Sequence, residues 1–393
     1  MREGWINKKL GDVCQVLAGQ GAPQGEDSYS DVGTPFVKAG NLVELINGKQ
    51  ESDIQKVSDE VAKEHRLVLY KTGSVVFAKS GMSCMKGHVY TLKNDCYVVS
   101  HLAILQPRNI SSAYLNYYLQ HHKPNNLIKD EGYPSISLKD IENSIISLPS
   151  NVEQENRVVS ELDKINELVR LKKEQLKDYD NLAQSIFYEM FGDPVVNEKG
   201  WELKKLGEEY KVSSSKRIMQ DEWTTEGVPF LKVSDVVSKI NGQNSEPSTF
   251  ISETTYSKLV DSNAVPVQND ILITSRGTLG LCYIVKNEDR FYFQDGMITW
   301  LAECKGNITP LFLTCLFKNH HFLQQITSKA NKSTVAYISI SQISKRKIPF
   351  PPLALQNLFA QRIELIEQQK AEIQNTIADL ETLLASRMQY WFD

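Results

Sequence analysis

Two stretches of the chain carry apolar residues at alternating steps of three and four. From Glu153 to Phe191 the series is Leu162, Ile165, Val169, Lys172, Leu176, Tyr179, Ala183, Ile186 and Met190, with Lys172 the one break. Near the other end it is Phe359, Ile363, Ile366, Lys370, Ile373, Ile377, Leu380, Leu384, Arg387 and Trp391. From Leu162/Ile363 to Met190/Trp391 the two series match at an offset of 201. Spacing sustained over this many turns predicts a coiled coil. Neither stretch contains an interior Gly or Pro, and Glu, Gln and Lys fill the flanks, as good helix formers should. The first helix is expected to stop at Gly192-Asp193-Pro194, a glycine cap followed by a helix breaker. Either helix alone would expose a stripe of Leu and Ile, so each needs a partner, and the other helix is the obvious one. An antiparallel pair of about 35 residues would form a rod on the order of 50 Å long, with a globular domain at each end. The competing expectation is that the helices pack on the globular domains instead.

The rest of the chain reads as short strands and helices. Lys71-Thr72-Gly73 and Gln268-Asn269-Asp270 are turn signals before the apolar runs Val75–Phe77 and Ile271–Ile273. Leu102–Leu105 and Met297–Leu301 are further strand candidates, and Ala113–His121 and Pro310–Lys318 are short helix candidates. Their Tyr114, Tyr117, Tyr118, Phe312 and Phe317 are expected in the core.

These elements come in duplicate. Gly4-Trp5-x-x-Lys8-Lys9-Leu10-Gly11 recurs as Gly200-Trp201-x-x-Lys204-Lys205-Leu206-Gly207, and the segment from Gly73 to Gly81 recurs from Asn269 to Gly277, both at an offset of 196. Gly33-x-Pro35-Phe36-Val37-Lys38 recurs as Gly227-x-Pro229-Phe230-Leu231-Lys232, and Ile136-Ser137-Leu138 as Ile338-Ser339-Ile340. A period near 200 is too long for a solenoid. The expected fold is therefore α/β (α+β): two globular domains in tandem, separated by a long antiparallel coiled coil of two helices, with a pseudo-two-fold internal repeat. The boundaries are residues 1–150 for the first domain, 151–192 for its helix, 193–350 for the second domain and 351–393 for the last helix. Similarity between the halves lies in framework segments, while the loops diverge, which fits equally one scaffold that reads two targets and simple drift in solvent loops.

Composition narrows the class. The 393 residues are 41% hydrophobic and 23% charged, ordinary for a globular protein. No apolar run reaches membrane-spanning length, so no membrane association is expected. The six cysteines, at 14, 84, 96, 282, 304 and 315, form no Cys-x-x-Cys pair and are expected as inert thiols in a cytoplasmic protein. The net charge of −4 is uneven: residues 1–150 are neutral, 151–200 carry −4, 201–350 carry +3 and 351–393 carry −3. The negative excess lies on the helical segments. The net charge argues mildly against nucleic acid, although a weakly charged globular domain still binds DNA where its basic groups share one face, and binding by this chain alone is expected to be weak.

Catalytic signatures are missing. There is no phosphate-binding Gly-x-x-x-x-Gly-Lys-Ser/Thr loop, no His-Glu-x-x-His, no Gly-x-Ser-x-Gly and no Asn-Pro-Pro-aromatic tetrapeptide. The pairs His121-His122 and His320-His321 are adjacent, and adjacent helical residues point apart, so no metal site is expected. These features favour a binding protein over an enzyme.

The ordered set of motifs resembles the specificity subunits of type I DNA restriction–modification systems. The segments that carry it are Phe187-Tyr188-Glu189-Met190-Phe191-Gly192-Asp193-Pro194 followed by Lys199-Gly200-Trp201-Glu202-Leu203-Lys204-Lys205-Leu206-Gly207. With them go the repeated Asp270-Ile271-Leu272-Ile273 strand, the Pro-Phe-x-Lys segments, Leu148-Pro149 and Phe350-Pro351-Pro352 before the helices, and the closing Trp391-Phe392-Asp393. The resemblance implies two target recognition domains, each reading one half of a split, asymmetric site in double-stranded DNA. It implies that the helices space the half-sites and dock two modification (methyltransferase) subunits. S-adenosylmethionine, ATP and magnesium would belong to those and to the restriction (translocase/nuclease) subunits, with none bound by this non-catalytic chain. A DNA-reading subunit of a related bifunctional restriction system and a tandem protein-interaction scaffold are the alternatives.

Sequence reading by such a protein needs donors and acceptors at base edges and basic neighbours for phosphate. The candidates in the first domain are Lys38, Asn41, Lys79, Ser80, Ser83, Lys86, His88, Tyr133, Ser135 and Ser137. Those in the second are Lys232, Ser234, Asp235, Ser275, Arg276, Thr278, Lys332, Ser333, Thr334, Tyr337 and Ser339. Arg276 is the best single candidate, because a guanidinium beside Gly277 after a strand suits bidentate pairing with guanine.

Overall fold

A computed structural model of the chain describes residues 4–243, 247–327 and 337–393. It divides into two compact units, Met1–Lys173 with Asn375–Asp393, and Glu174–Gln374. The boundary cuts both long helices, so each unit contains one globular domain and one end of each helix.

In the first unit, β1 (Trp5–Lys9), β2 (Cys14–Ala18), β3 (Thr34–Val37), β4 (Lys56–Val57), β5 (Val75–Ala78), β6 (Val89–Thr91), β7 (Tyr97–Val98), β8 (Leu102–Pro107) and β9 (Ile145–Pro149) make three small sheets. An antiparallel sheet runs β2-β8-β5-β6, a mixed one runs β4-β3-β7, and β1 pairs with β9. The turn before β5 forms because Gly73 adopts φ +83°, a left-handed conformation that glycine reaches without strain. All four residues of β5 are buried, which is why its sequence shows no alternation. Phe36, Phe77, Leu102–Leu105, Tyr114 and Leu115 fill the core. Strand β8 extends two residues past the apolar run to Pro107.

The second unit repeats this topology. Strands β10 (Glu202–Lys205), β11 (Lys211–Ser213), β12 (Trp223–Thr224), β13 (Val228–Leu231), β14 (Phe250–Ile251), β15 (Ile271–Thr274), β16 (Cys282–Ile284), β17 (Tyr292–Phe293), β18 (Ile298–Ala302) and β19 (Lys347–Phe350) form sheets β11-β18-β15-β16, β12-β14-β13-β17 and β10-β19. The parallel pairs β3–β7 and β13–β17 match. Each repeated Gly-Trp-x-x-Lys-Lys-Leu-Gly segment becomes a strand and a one-turn helix, the strand paired with the segment that leads into the long helix.

The long helices run Val152–Phe191 and Leu353–Phe392. In the first unit Glu161 bonds Arg387 and Trp391, while Lys173 meets Glu381 at 2.8 Å; rising numbers on one helix meet falling numbers on the other, so the pair is antiparallel. In the second unit Asp180 meets Lys370 at 2.9 Å and Phe187 packs on Phe359, again antiparallel. Seam residues Leu162, Ile165, Val169 and Ile377 of the first unit are buried, as are Ile363, Ile366 and Ile373 of the second. Leu380, Leu384 and Trp391, and Leu176, Tyr179, Ile186 and Met190, are half-buried.

At the helix ends the apolar face widens beyond the heptad. Met388 and Phe392 join the first core, and Phe187 and Phe191 the second. The ends thus pack on the partner helix and on the globular domain together, combining the two arrangements the sequence posed as alternatives. The first turn of each helix is also tied to its domain. Buried Glu155 accepts the Ser111 N–H at 2.6 Å, and buried Gln356 accepts the Thr309 N–H at 2.8 Å. Ser111 and Thr309 are themselves the N-caps of helices Ser112–His121 and Pro310–Lys318, whose aromatic residues lie in the core as expected. Lys370, a polar break in the seam, has its titration pulled down by burial, but its bonds to Asp180 and Glu367 outweigh this and hold it charged.

Candidate nucleic-acid interface

The diverged loops converge within each unit. In the first, the segment just after β5 that carries Lys79 and Ser80 is bridged to the segment around Ser135, with the Ile136 N–H donating to the Lys79 carbonyl at 2.8 Å and the Gly81 N–H to that of Pro134 at 3.1 Å. In the second, Arg276 bridges Tyr337 and the Ile338 N–H donates to the Ser275 carbonyl at 3.0 Å. Gly81 and Gly277 turn the chain just beyond these strands at φ +75° and +73°, and open space lies where a Cβ would project. Backbone conformation rather than packing therefore calls for glycine at both.

On this shared frame the side chains differ. Ser80 faces His101, its hydroxyl 3.0 Å from Nδ1. Arg276, at the equivalent position, is exposed, and its guanidinium sits 5.4 Å from the Tyr337 ring centre. A guanidinium over an aromatic face is held by cation–π attraction, which uses none of its N–H donors. Tyr133 is 79% exposed and Met82 75%, so both stand clear of the core beside this loop pair. Ser135 and Lys86 are exposed, and Ser83 and His88 half-buried, in the same loops.

A second duplicated feature precedes these loops. Lys38 Nζ lies 4.0 Å from the Tyr29 ring centre and donates to Gln55 Oε1 at 2.7 Å. Lys232 Nζ lies 5.0 Å from the Trp223 ring centre. Tyr29/Trp223 and Lys38/Lys232 share an offset of 194, as do Asn41/Asp235. The Lys38 N–H donates to Asn41 Oδ1 at 2.9 Å, and the Lys232 N–H to Asp235 Oδ2 at 2.8 Å. Each unit therefore holds a lysine over an aromatic ring, with its backbone anchored by the acceptor three residues on. The aromatic platforms were not among the sequence candidates; the common offset of 194 is the signal that locates them.

Several candidates have side chains committed elsewhere. Ser275 is 4% exposed, its hydroxyl bonded to Thr299 at 2.7 Å; it is a core residue whose backbone carries the bridge, and its side chain does not reach a ligand. The oxygens of Asn41 and Asp235 are engaged locally, as above. Ser137 and Ser339 are N-caps, accepting from Asp140 and Gln342 N–H groups and bonding the side chains of those residues. Ser234 and Thr278 are exposed. Lys332, Ser333 and Thr334 lie outside the described residues.

No helix among the described residues is long and apolar enough to cross a membrane.

A family model described as "Type I restriction modification DNA specificity domain" matches residues 2–178 and 198–382, one match per half. Among curated relatives, the MjaIX specificity subunit of Methanocaldococcus jannaschii is 28% identical over 37% of this chain and 34% of its own length. The MjaVIII specificity subunit of the same organism is 20% identical over 93% of this chain and 86% of its own length. A putative specificity subunit of Haemophilus influenzae is 25% identical over 46% of this chain, and the alignment spans 44% of that relative. The strongest of these alignments thus spans about a third of the relative. Among solved structures, a type I S subunit from M. genitalium covers 99% of this chain and 96% of its own at a TM-score of 0.52 and 14% identity. A chain from a structure describing complex assembly and conformational transition of the type I R-M system covers 99% and 97% at a TM-score of 0.59 and 18% identity. With both halves matched over most of its length, on a fold shared with these structures, the chain belongs to the family of type I restriction–modification DNA specificity proteins.

Proposed function

We propose that the chain is the non-catalytic specificity subunit of a type I complex, and that each globular domain reads one half of a split, asymmetric site in double-stranded DNA. The observation that carries this reading is the duplicated frame with unlike side chains: Lys38 and Lys232 over aromatic rings, and bridged loops turned at Gly81 and Gly277 that present Ser80 in one unit and Arg276 in the other. A common frame with different donors is the arrangement that reads two different half-sites. The recognition domains are residues 1–150 and 193–350. The long helices, 151–192 and 351–393, set the gap and dock two modification subunits. Adenine methylation, with S-adenosylmethionine, and cleavage by the restriction subunits, with ATP and magnesium, take place on those partners.

Genome-wide adenine-methylation mapping with and without this gene tests the reading. A split motif lost on deletion supports it, and unchanged methylation with demonstrably active partners overturns it.

Two narrower results follow. Lys232→Ala is expected to weaken binding about equally on all duplexes and to lower the slope of log K against log[salt] by about 1, as for one lost phosphate contact; discrimination between sequences should survive. A heptad inserted in both long helices, after Lys173 and after Gln374, keeps the seam in phase and adds about 10 Å to the pair. The preferred gap should then widen by about three base pairs at about 3.4 Å each. A gap that stays the same would remove the ruler role of the helices.

A further inference from the structure

The first globular domain ends its short helix at His121, and His122 is the C-cap, with φ −88° and ψ 72°. That ψ is far from helical, so the rule that neighbouring helical side chains point apart stops applying at this residue. The two rings come together, 4.8 Å between centres. Both face the last turn of the long helix Leu353–Phe392: His121 Nε2 lies 2.8 Å from Asp393 Oδ1, and His122 Nε2 lies 3.2 Å from the Phe392 carbonyl oxygen. One ligand atom from each of His121, His122 and Asp393 lies within 4.8 Å of the others. Tyr118 packs on the His122 ring at 4.5 Å and Phe392 of the long helix on the His121 ring at 5.9 Å, so aromatic rings from both elements wall the cluster, and it opens to solvent at the exposed Asp393.

The second unit supplies an internal contrast. His321 Nδ1 approaches Asp193 Oδ2 at 3.6 Å, again a histidine against the carboxylate that follows a long helix. There, however, His320 and His321 open the helix His320–Thr327, and their ring centres are 6.2 Å apart. Two adjacent histidines converge only where the chain leaves its helix between them.

We propose that His121, His122 and Asp393 form a binding site for a borderline divalent metal ion, Zn2+ foremost. Two imidazoles and a carboxylate are the donor set that such ions take, whereas magnesium and calcium select oxygen ligands. Bonds of about 2.0–2.2 Å require the donors to close to about 3.4 Å of one another. His121 and Asp393 already lie 2.8 Å apart, so small rotations of the three side chains, His122 included, make this adjustment. Each ring binds as a neutral imidazole through one nitrogen and keeps its single proton on the other, so the hydrogen bond between His121 and Asp393 gives way to metal bonds, and a fourth position stays open to water. Bound there, it ties the end of the long helix to the first recognition domain.

Titration of the metal-free full-length chain with zinc, followed by calorimetry, tests the site, with Co2+ absorption in the visible region as a second readout of ligand geometry. One equivalent should bind, the melting temperature should rise with zinc, and His122→Ala and Asp393→Asn should each weaken binding about tenfold or more. His321→Ala should bind as the unaltered chain does. Asp393→Asn alters one exposed side chain, and its far-UV circular dichroism should match the parent, separating ligand loss from misfolding. No binding by the parent chain, or binding by both first-unit variants as tight as the parent's, overturns the assignment; so does loss of binding confined to His321→Ala.

Discussion

Arg276→Ala is expected to weaken binding to the specific site by about 1–3 kcal/mol, or roughly 5- to 150-fold, and to relax selectivity at one position of one half-site. The guanidinium is exposed and sits over Tyr337, held by a backbone bridge and the turn at Gly277. It has no ion-pair partner among the described residues. An exposed guanidinium held over an aromatic ring, with a planar fork of N–H donors, suits the two acceptors of guanine in the major groove. Arg276→Lys should not restore selectivity, since an ammonium keeps the charge but lacks the planar fork. The measurement is competition binding at one salt concentration against duplexes carrying each single base-pair change. If Arg276→Ala weakens all of them alike, the residue contacts phosphate and the base-reading role is lost.

Much of this architecture was legible in the sequence because it is written twice. The heptad series, the offset of 196 and the turn signals before β5 and β15 identify the long helices and the frame, since each depends on local periodicity or on a residue with special backbone freedom. Less legible was anything decided by which elements meet. Phe187, Phe191, Met388 and Phe392 fall off the heptad, yet are buried because the helix ends touch a domain as well as a helix. Ser275 reads as a polar loop residue, but β15 keeps it inside against Thr299. Tyr29 and Trp223 sit in segments of little similarity, and only their position under a lysine gives them a role. His121 and His122 read as diverging because helical geometry was assumed through both, and the helix ends between them.

Gln356→Ala should destabilise the second unit by about 2–4 kcal/mol, a large loss for one polar side chain. The side chain is fully buried. Its carbonyl accepts the Thr309 N–H at 2.8 Å, and its amide donates to the Pro351 and Asn307 carbonyls at 2.8 and 3.2 Å. Truncation leaves three backbone groups without their partner and opens a cavity between the first turn of the long helix and the cap of helix Pro310–Lys318. Denaturant unfolding of the full chain measures the loss, and hydrogen exchange localises it. Protection should fall in 310–318 and in the first turns of the long helix, while Ser112–His121, tied instead through Glu155, keeps its protection. A variant as stable as the parent would mean that water satisfies the freed groups, and that the buried amide does not anchor the helix to its domain. Loss of protection in both units together would show that they unfold as one, so that the equivalent contacts at Glu155 and Gln356 serve one cooperative structure rather than two.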